Sequence, residues 1–360
     1  HHPEGVVGEP SCERREANVC DPVDAEQGRH RDEETYRGMV QAMAREHGVS
    51  ERRIKADMYR NIVTRGCGYT DYFRGEYFGA SCEQKDTYVT TRSFYRLLAY
   101  LNDEGFANVM RDKLLFCDVF RPYLGRDFIN LRVASVEEFA HFIAGKASVF
   151  AKKEFGFRSM GVEKVDVSGI EGEDAARELY ERLRSCGQYL VEETIEQVPE
   201  VDELNPGSVA SLRVVTLVKD DRAHLLGATL RMNTSEADCT DLHDVLFGML
   251  GADGTFERAP VDGLGRSFEV HPATGKRFDE VRIPGARDAF DLCLRAALEV
   301  PQVRYVGWDV AFSRRGSILM EGNAYPSYHL LQFNKLTGRT TGHLKDVADV
   351  LGDEMRDIKL

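Results

Sequence analysis

No stretch of the sequence approaches the roughly 20 consecutive apolar residues that a membrane-spanning helix requires, which argues against insertion into a bilayer. CxxC pairs are absent too. The eight cysteines stand at positions 12, 20, 67, 82, 117, 186, 239 and 293, and a chain of 360 residues does not need disulfide staples. They read as reduced thiols, which sets a cytoplasmic location as the expectation. The opening His1-His2 reads as a tag remnant, with no apolar signal core after it. Basic residues are in deficit, 47 Lys and Arg against 60 Asp and Glu, and the net charge of −13 advertises no broad cationic surface for nucleic acid. The GxxxxGK(S/T) phosphate loop is missing, as is any Ser-His-Asp or Cys-His signature of covalent catalysis. An anionic ligand must therefore meet a local cluster of cations or a metal.

What is present is the composition of an ordinary globular chain, 42% hydrophobic and 30% charged. Residues 1–32 mix Pro, Gly and charge without periodicity and read as a flexible or extended leader. From Glu33 the apolar residues recur at helical spacing. Tyr36, Met39, Val40 and Met43 share one face, and Ser50 caps a segment carrying Ile54, Met58 and Ile62. Phe94, Leu97, Leu98 and Leu101 mark another helix, and Lys113 to Tyr123 a further one that stops at Gly125. This gives a helical region over 33–125. In 126–200, strand candidates 128–131 and 147–152 alternate with helices 136–145, capped by Ser135, and 173–186, an α+β pattern. The strand signals "QYLVEE", "ASLRVVTLV" and "HLLGATLRM" follow, the last two joined by a turn at "KDDRA". In the remainder of 201–360, Pro284 opens a helix through Phe290 and Leu294, and "RYVGWDVAFS" and "SILMEGN" form a second hairpin.

The second hairpin carries the chemistry. Centring its turn on Arg315 sets Asp309 opposite Glu321, and strand alternation adds Asn323 to the same face, so two carboxylates and an amide converge within ~5 Å. Val306, Trp308 and Val310 fill the other face, so Asp309 interrupts an otherwise apolar strand, as Glu321 does after Ile318, Leu319 and Met320. Carboxylates so placed repel, and a hard cation is the direct remedy. Mg²⁺, which prefers a few carboxylate oxygens plus substrate phosphates, fits. In the first hairpin, a turn centred near Arg222 pairs Arg213 with Arg231, two guanidiniums that want a phosphate or carboxylate unless Glu192, Glu193 or Glu236 neutralises them. Lys152 and Lys153 end the strand "ASVFAKK" and lead into a loop with Gly156, Ser159 and Gly161, where backbone N–H groups can approach phosphate.

Taken in order, "RDKLLFCDVF", "FAKKEFGFRSMGV", "YLVEETIEQVPEVDELNPGSVASLRVVT", "HPATGKRF" and "YVGWDVAFSRRGSILMEGNAYPS" resemble the ATP-grasp superfamily, and most closely its sugar-transfer-associated branch. The resemblance spans about 57–351. It implies an α+β fold in which two subdomains, 126–200 as the lid and 201–360 with the metal site, grip ATP behind a helical N-terminal region. It also implies that Lys113 and Lys152 contact the nucleotide phosphates, that Glu192 and Ile195 lie beside adenine, that Glu200 serves the ribose, and that Asp309, Glu321 and Asn323 bind the metal. Arg213 falls in the family's Arg-containing strand. Lys153 stands where proline is common, Arg158 and Met160 replace small residues, and Ala210 stands where this branch often has Asn.

The implied chemistry is a ligase using ATP and Mg²⁺, in which a carboxylate attacks the γ-phosphate and an amine captures the acylphosphate, possible contexts being cell-surface glycan or secondary metabolism. Lys152, Arg213 and Arg231 are the catalytic candidates and Lys113, Lys152, Ser159, Gly161, Glu192, Ile195 and Glu200 the nucleotide-binding ones. Alternatives are a small-molecule kinase acting on a hydroxyl and a non-catalytic nucleotide-binding protein; the latter would have lost a lysine or metal ligand, and none is lost. Expected partners are small carboxylates and amines, with no nucleic acid. His271 and His329 read as structural or substrate-contacting rather than as bases, while Ser327, Tyr328, His329 and Lys335 follow the metal strand where an acceptor would approach.

Overall fold

The computed structural model describes residues 35–155, 161–205, 207–234 and 245–360. The expected leader 1–32 and Arg158, Ser159, Met160 and Glu236 lie outside the described residues. Among those described, no helix is long and apolar enough to cross a membrane.

The N-terminal part is helical, as the periodicity requires. Residues 35–46 are followed by helices Glu51–Arg65, Tyr69–Arg74, Cys82–Lys85, Thr91–Leu101, Glu104–Arg111 and Lys113–Val119. Side-chain caps set the starts: Ser50 accepts from Arg53 N–H, Thr90 from Ser93 N–H, and Asp112 from Leu114 and Leu115 N–H. Phe94, Leu97, Leu98 and Leu101 are all buried, packing with Val215, Leu217, Tyr305 and the C-terminal helix His343–Leu351. A fully buried leucine of this kind contributes about 1.5–3 kcal/mol, so this seam holds the helical region to the sheet behind it. Ile62, placed on the apolar stripe by spacing, is 38% exposed.

Two antiparallel sheets follow. The smaller contains β1 (Phe128–Asn130), β2 (Ser148–Lys152), β3 (Val162–Asp166) and β4 (Leu190–Glu193), in the order β1-β4-β2-β3. Helices Val136–Ile143 and Gly172–Ser185 bury Phe139, Ile143, Ala176, Leu179 and Leu183 against Val149, Ala151, Val165 and Val191 of one face. The larger contains β5 (Ser211–Lys219), β6 (Arg222–Asn233), β7 (Val245–Met249), β8 (Val261–Asp262), β9 (Tyr305–Ser313) and β10 (Gly316–Asn323), in the order β10-β9-β5-β6-β7-β8. Leu212, Val214, Trp308, Val310 and Leu319 turn to its core face, where helix Ala286–Ala296 packs. That helix starts after Gly285, whose φ of 78° sets it off from Pro284, so Pro284 does not open it.

Register corrects one expectation. Asp220 and Asp221, with φ of 49° and 57°, form a two-residue hairpin turn, and the ladder shifts once between Val215 and Thr216. Arg213 therefore faces Thr229, and Arg231 faces Ser211. The two arginines share a face as diagonal neighbours but are not directly opposite, because the turn lies nearer the strand ends than a centre at Arg222 would put it.

Candidate active site

Asp309 does face Glu321, by a route the spacing did not disclose. The turn Arg314-Arg315 has two residues, so Gly316 pairs with Ser313 and Leu319 with Val310. Continued unbroken, that register would set Glu321 against Trp308, on the core side. A bulge at Met320 adds one residue and turns Glu321 to face Asp309, on the side opposite the core. Gly322 then comes opposite Trp308, and a methyl group there would lie 3.0 Å from the indole and 2.7 Å from Met110 Sδ. Asn323 follows on the Glu321 face, its Oδ1 accepting from Tyr325 N–H at 2.8 Å.

Across the sheet, Arg213 on β5 pairs with Asp309, donating from Nε to Oδ1 at 2.5 Å and from Nη2 to Oδ2 at 2.9 Å. Burial works to raise Asp309, but Arg213 overrides it and holds the carboxyl below its ordinary range. Crowding by protein and then the facing Asp309 push Glu321 up to about 7, although the residue is exposed to solvent. Two carboxylates held together in this way would suit a divalent cation, to which Asn323 could add a third hard oxygen. Among the described residues no group of three or more His, Cys, Asp or Glu is placed to hold a metal ion.

From the small sheet, Lys152 at the end of β2 reaches Glu192 on β4, which is also gripped by Arg126 from Nε at 3.1 Å and Nη2 at 2.5 Å. Arg126 also turns to β10, where its Nη1 donates to Leu319 carbonyl at 2.6 Å and its Nη2 approaches Met320 carbonyl at 3.4 Å. The same guanidinium thus serves the backbone of the β10 bulge and the buried acid that positions Lys152. Cys117 Sγ lies 3.8 Å from Glu192, its thiol pushed up to about 12 by burial. Lys113 is lowered by burial, opposed by the charges of Glu321 and Glu192 and assisted by Lys152, so both lysines share one electrostatic neighbourhood with the carboxylate pair.

Glu192 also sets a pH dependence. Burial alone would raise it, but Lys152 and Arg126 hold it at about 2 against an ordinary 4.5. A depressed carboxyl stabilises the fold above its unfolded pKa and loses that contribution as pH falls through the folded one. Unfolding free energy should therefore drop between about pH 4.5 and about 2 in the wild type. Urea titrations at stepped pH should show a shallower drop in Glu192→Gln, and an identical slope would refute the assignment.

The other residues singled out from sequence are spread around this centre. Gly161, with φ of 75°, closes the β2–β3 loop by accepting from Lys153 N–H at 3.1 Å, and a methyl group there would lie 2.8 Å from Lys153 Cγ. Ile195 lies in the segment joining the sheets, where Val198 N–H donates to Phe312 carbonyl, and Glu200 is exposed on the short helix Pro199–Asp202. Arg231 is exposed on the Arg213 face. His271 is buried, with Nε2 at 2.9 Å from Asn233 carbonyl and Nδ1 facing Ala273 and Thr274 N–H, a loop staple. Lys335 turns to Glu46 at 3.2 Å and Glu76 at 3.8 Å in the helical region. Arg126 escaped the sequence reading because its partners lie 66 and 193 residues away.

Residues 169–347 match the sugar-transfer-associated ATP-grasp family. Solved structures similar to the chain include the ATP-grasp ligase PsnB complexed with minimal precursor, at 17% identity and a TM-score of 0.39, covering 70% of this chain and 62% of that one. Another is D-alanine–D-alanine ligase from Bacillus anthracis, at 13% identity and a TM-score of 0.41, covering 70% and 69%. A third, N5-carboxyaminoimidazole synthase from Aspergillus clavatus, has 12% identity and a TM-score of 0.37, covering 62% and 46%. The chain thus spans less than two thirds of PsnB. No curated protein sequence matches it. The matched segment carries the whole large sheet and every carboxylate of the site, and over it the chain is similar to the sugar-transfer-associated ATP-grasp family.

Proposed function

We propose that the chain is a Mg²⁺- and ATP-dependent ligase that joins a carboxylate to an amine through an acylphosphate. The observation that carries this reading is the gathering of Lys113, Lys152 and Arg213 around the facing pair Asp309 and Glu321. Cations disposed about a carboxylate pair suit a nucleotide's phosphates better than any neutral ligand. Asp309, Glu321 and Asn323 would hold Mg²⁺, which supplies charge neutralisation at the phosphates when bound.

Lys113 and Lys152 hold the phosphates, and Lys152 is oriented for this by Glu192 and, behind it, Arg126. The segment of Glu192 and Ile195 receives the adenine and Glu200 the ribose, while Gly161 and Ser159 belong to the loop over the phosphates. A carboxylate oxygen of the first substrate attacks the γ-phosphorus as its bond to the ADP oxygen breaks. Arg213 and Arg231, diagonal on one face, offset the anionic charge of that carboxylate and its acylphosphate. The amine then attacks the acyl carbon and phosphate departs. In this reading 126–200 is the lid and 201–360 the base of the grip, behind the helical 33–125.

³¹P NMR of the protein with Mg-ATP and pools of amino acids, amino sugars and sugar acids tests the proposal. Release of ADP and free phosphate that depends on both an amine and a carboxylate is expected. A new phosphoester resonance would assign a kinase instead, and silence across the pools would count against the ligase.

A further inference from the structure

The chain leaving β10 is seated on the sheet beside Arg213. Gly307 faces Val215 and follows Asp309 two residues along its face. A methyl group on Gly307 would lie 2.5 Å from Pro326 Cβ and 3.2 Å from Arg213 Cδ, so Pro326 and the Arg213 side chain stand next to each other on the site face. Gly227, also opposite Val215, makes the same room for Leu331, 2.7 Å from where its methyl would be. Residues 326–331 therefore lie along the site face of the sheet, held at both ends by places where the sheet has no side chain.

This segment supplies the His and Ser of an Asp-His-Ser constellation. Asp71, in helix Tyr69–Arg74, is fully buried and accepts from Gly68 N–H at 2.7 Å, Thr91 N–H at 2.9 Å, Thr91 Oγ1 at 3.1 Å and Tyr328 hydroxyl at 2.8 Å. Its Oδ1 also lies 3.2 Å from His329 Nε2. Donors on every side keep this carboxylate ionised, and an ionised carboxylate only accepts, so Nε2 carries a ring hydrogen and, in the neutral ring, Nδ1 presents a lone pair. Nδ1 lies 3.1 Å from Oγ of the exposed Ser327. The ring is stacked on Tyr328 at 4.2 Å, which fixes its plane, and the side chain is 24% exposed. A carboxylate with four other donors does not need the histidine, whereas the histidine gains from Asp71 one tautomer and one orientation.

We propose that His329, oriented by Asp71, is the general base of the second half-reaction, accepting a proton at Nδ1 from the incoming amine where Ser327 Oγ now bonds. This rests on the ligase reading. The amine nitrogen forms its bond to the acyl carbon, the bond from that carbon to the phosphate oxygen breaks, and phosphate leaves with the electron pair. The amine's proton passes to His329 Nδ1, and the resulting imidazolium is stabilised by Asp71. Ser327 holds the lone pair in register until the acceptor arrives, and Asp71 acts as a positioning residue.

Two measurements test this. In protein labelled with ¹⁵N-histidine and no ligand, His329 should show the Nε2–H tautomer, and Asp71→Asn should shift its ring nitrogens; an Nδ1–H tautomer in the wild type would overturn the assignment. The second uses hydroxylamine, a nucleophile that is neutral near pH 7 and attacks acylphosphates unaided, with Mg-ATP and the carboxylate pool. His329→Gln should form hydroxamate within a few-fold of wild type while transfer to an amine falls by about 10²–10⁴. Equal losses with both nucleophiles would overturn the base role. A wild type that forms neither hydroxamate nor amide would overturn the ligase reading and the base role with it.

Discussion

Glu321→Gln should abolish turnover and at the same time stabilise the metal-free chain. Glutamine keeps the shape of the side chain at an exposed position, so packing is preserved. What changes is the repulsion between residues 309 and 321, whose side chains face each other across the β9–β10 ladder. Its removal should raise unfolding free energy by about 0.5–1 kcal/mol without metal, while kcat falls at least about 10²–10³-fold through loss of phosphate charge neutralisation. Asp309→Asn should match that kinetic loss but destabilise, by about 2–4 kcal/mol, because it leaves the partly buried Arg213 guanidinium without its carboxylate. Mg²⁺ should stabilise the wild type, by about 2.7 kcal/mol at a hundred times its Kd, and neither variant. Urea unfolding with and without Mg²⁺, beside ADP release, measures all of this. Undiminished turnover in Glu321→Gln would remove the metal assignment.

The largest effect on folding is expected at Arg126. Arg126→Met leaves Glu192 deeply buried with Lys152 as its ion-pair partner and takes the donor from Leu319 carbonyl. Breaking a buried pair from one side costs about 3–5 kcal/mol, and an orphaned carbonyl adds about 1–3 kcal/mol. The double variant Arg126→Met with Glu192→Gln should recover the larger part, since no buried charge is then uncompensated. Its turnover should stay low, because Lys152 loses the acid that orients it. A single variant within about 0.5 kcal/mol of wild type by urea unfolding would show that Arg126 does not carry this load.

How legible these features were depended on how local their causes are. The stripe Phe94, Leu97, Leu98 and Leu101 and the alternation of Val306, Trp308 and Val310 came from period alone, and both turned inward as read. Asp309 and Glu321 were paired from a symmetric turn at Arg315. The true turn is one residue tighter on one side, and the bulge at Met320 restores the count. The same arithmetic missed Arg213 and Arg231 by two residues, an even slip that kept them on one face. Arg126 and Asp71 were invisible because their partners come from other parts of the chain: Asp71 meets Tyr328 across 257 positions, and nothing periodic links such residues.

The bulge in β10 also limits how this hairpin can change its length. Side chains alternate, so deleting or inserting one residue at Arg314-Arg315 would send Glu321 to the Trp308 side and expose Gly322 in its place. Losing Met320 alone would not, because Glu321 would then follow Leu319 directly and stay opposite Asp309 in an unbroken ladder. Losing a turn residue as well would put the two carboxylates out of register again. Among descendants of this sequence the hairpin tip is thus free to vary in composition, while a change in the length of the tip should arrive with an opposite change along β10 or accompany loss of the proposed metal site.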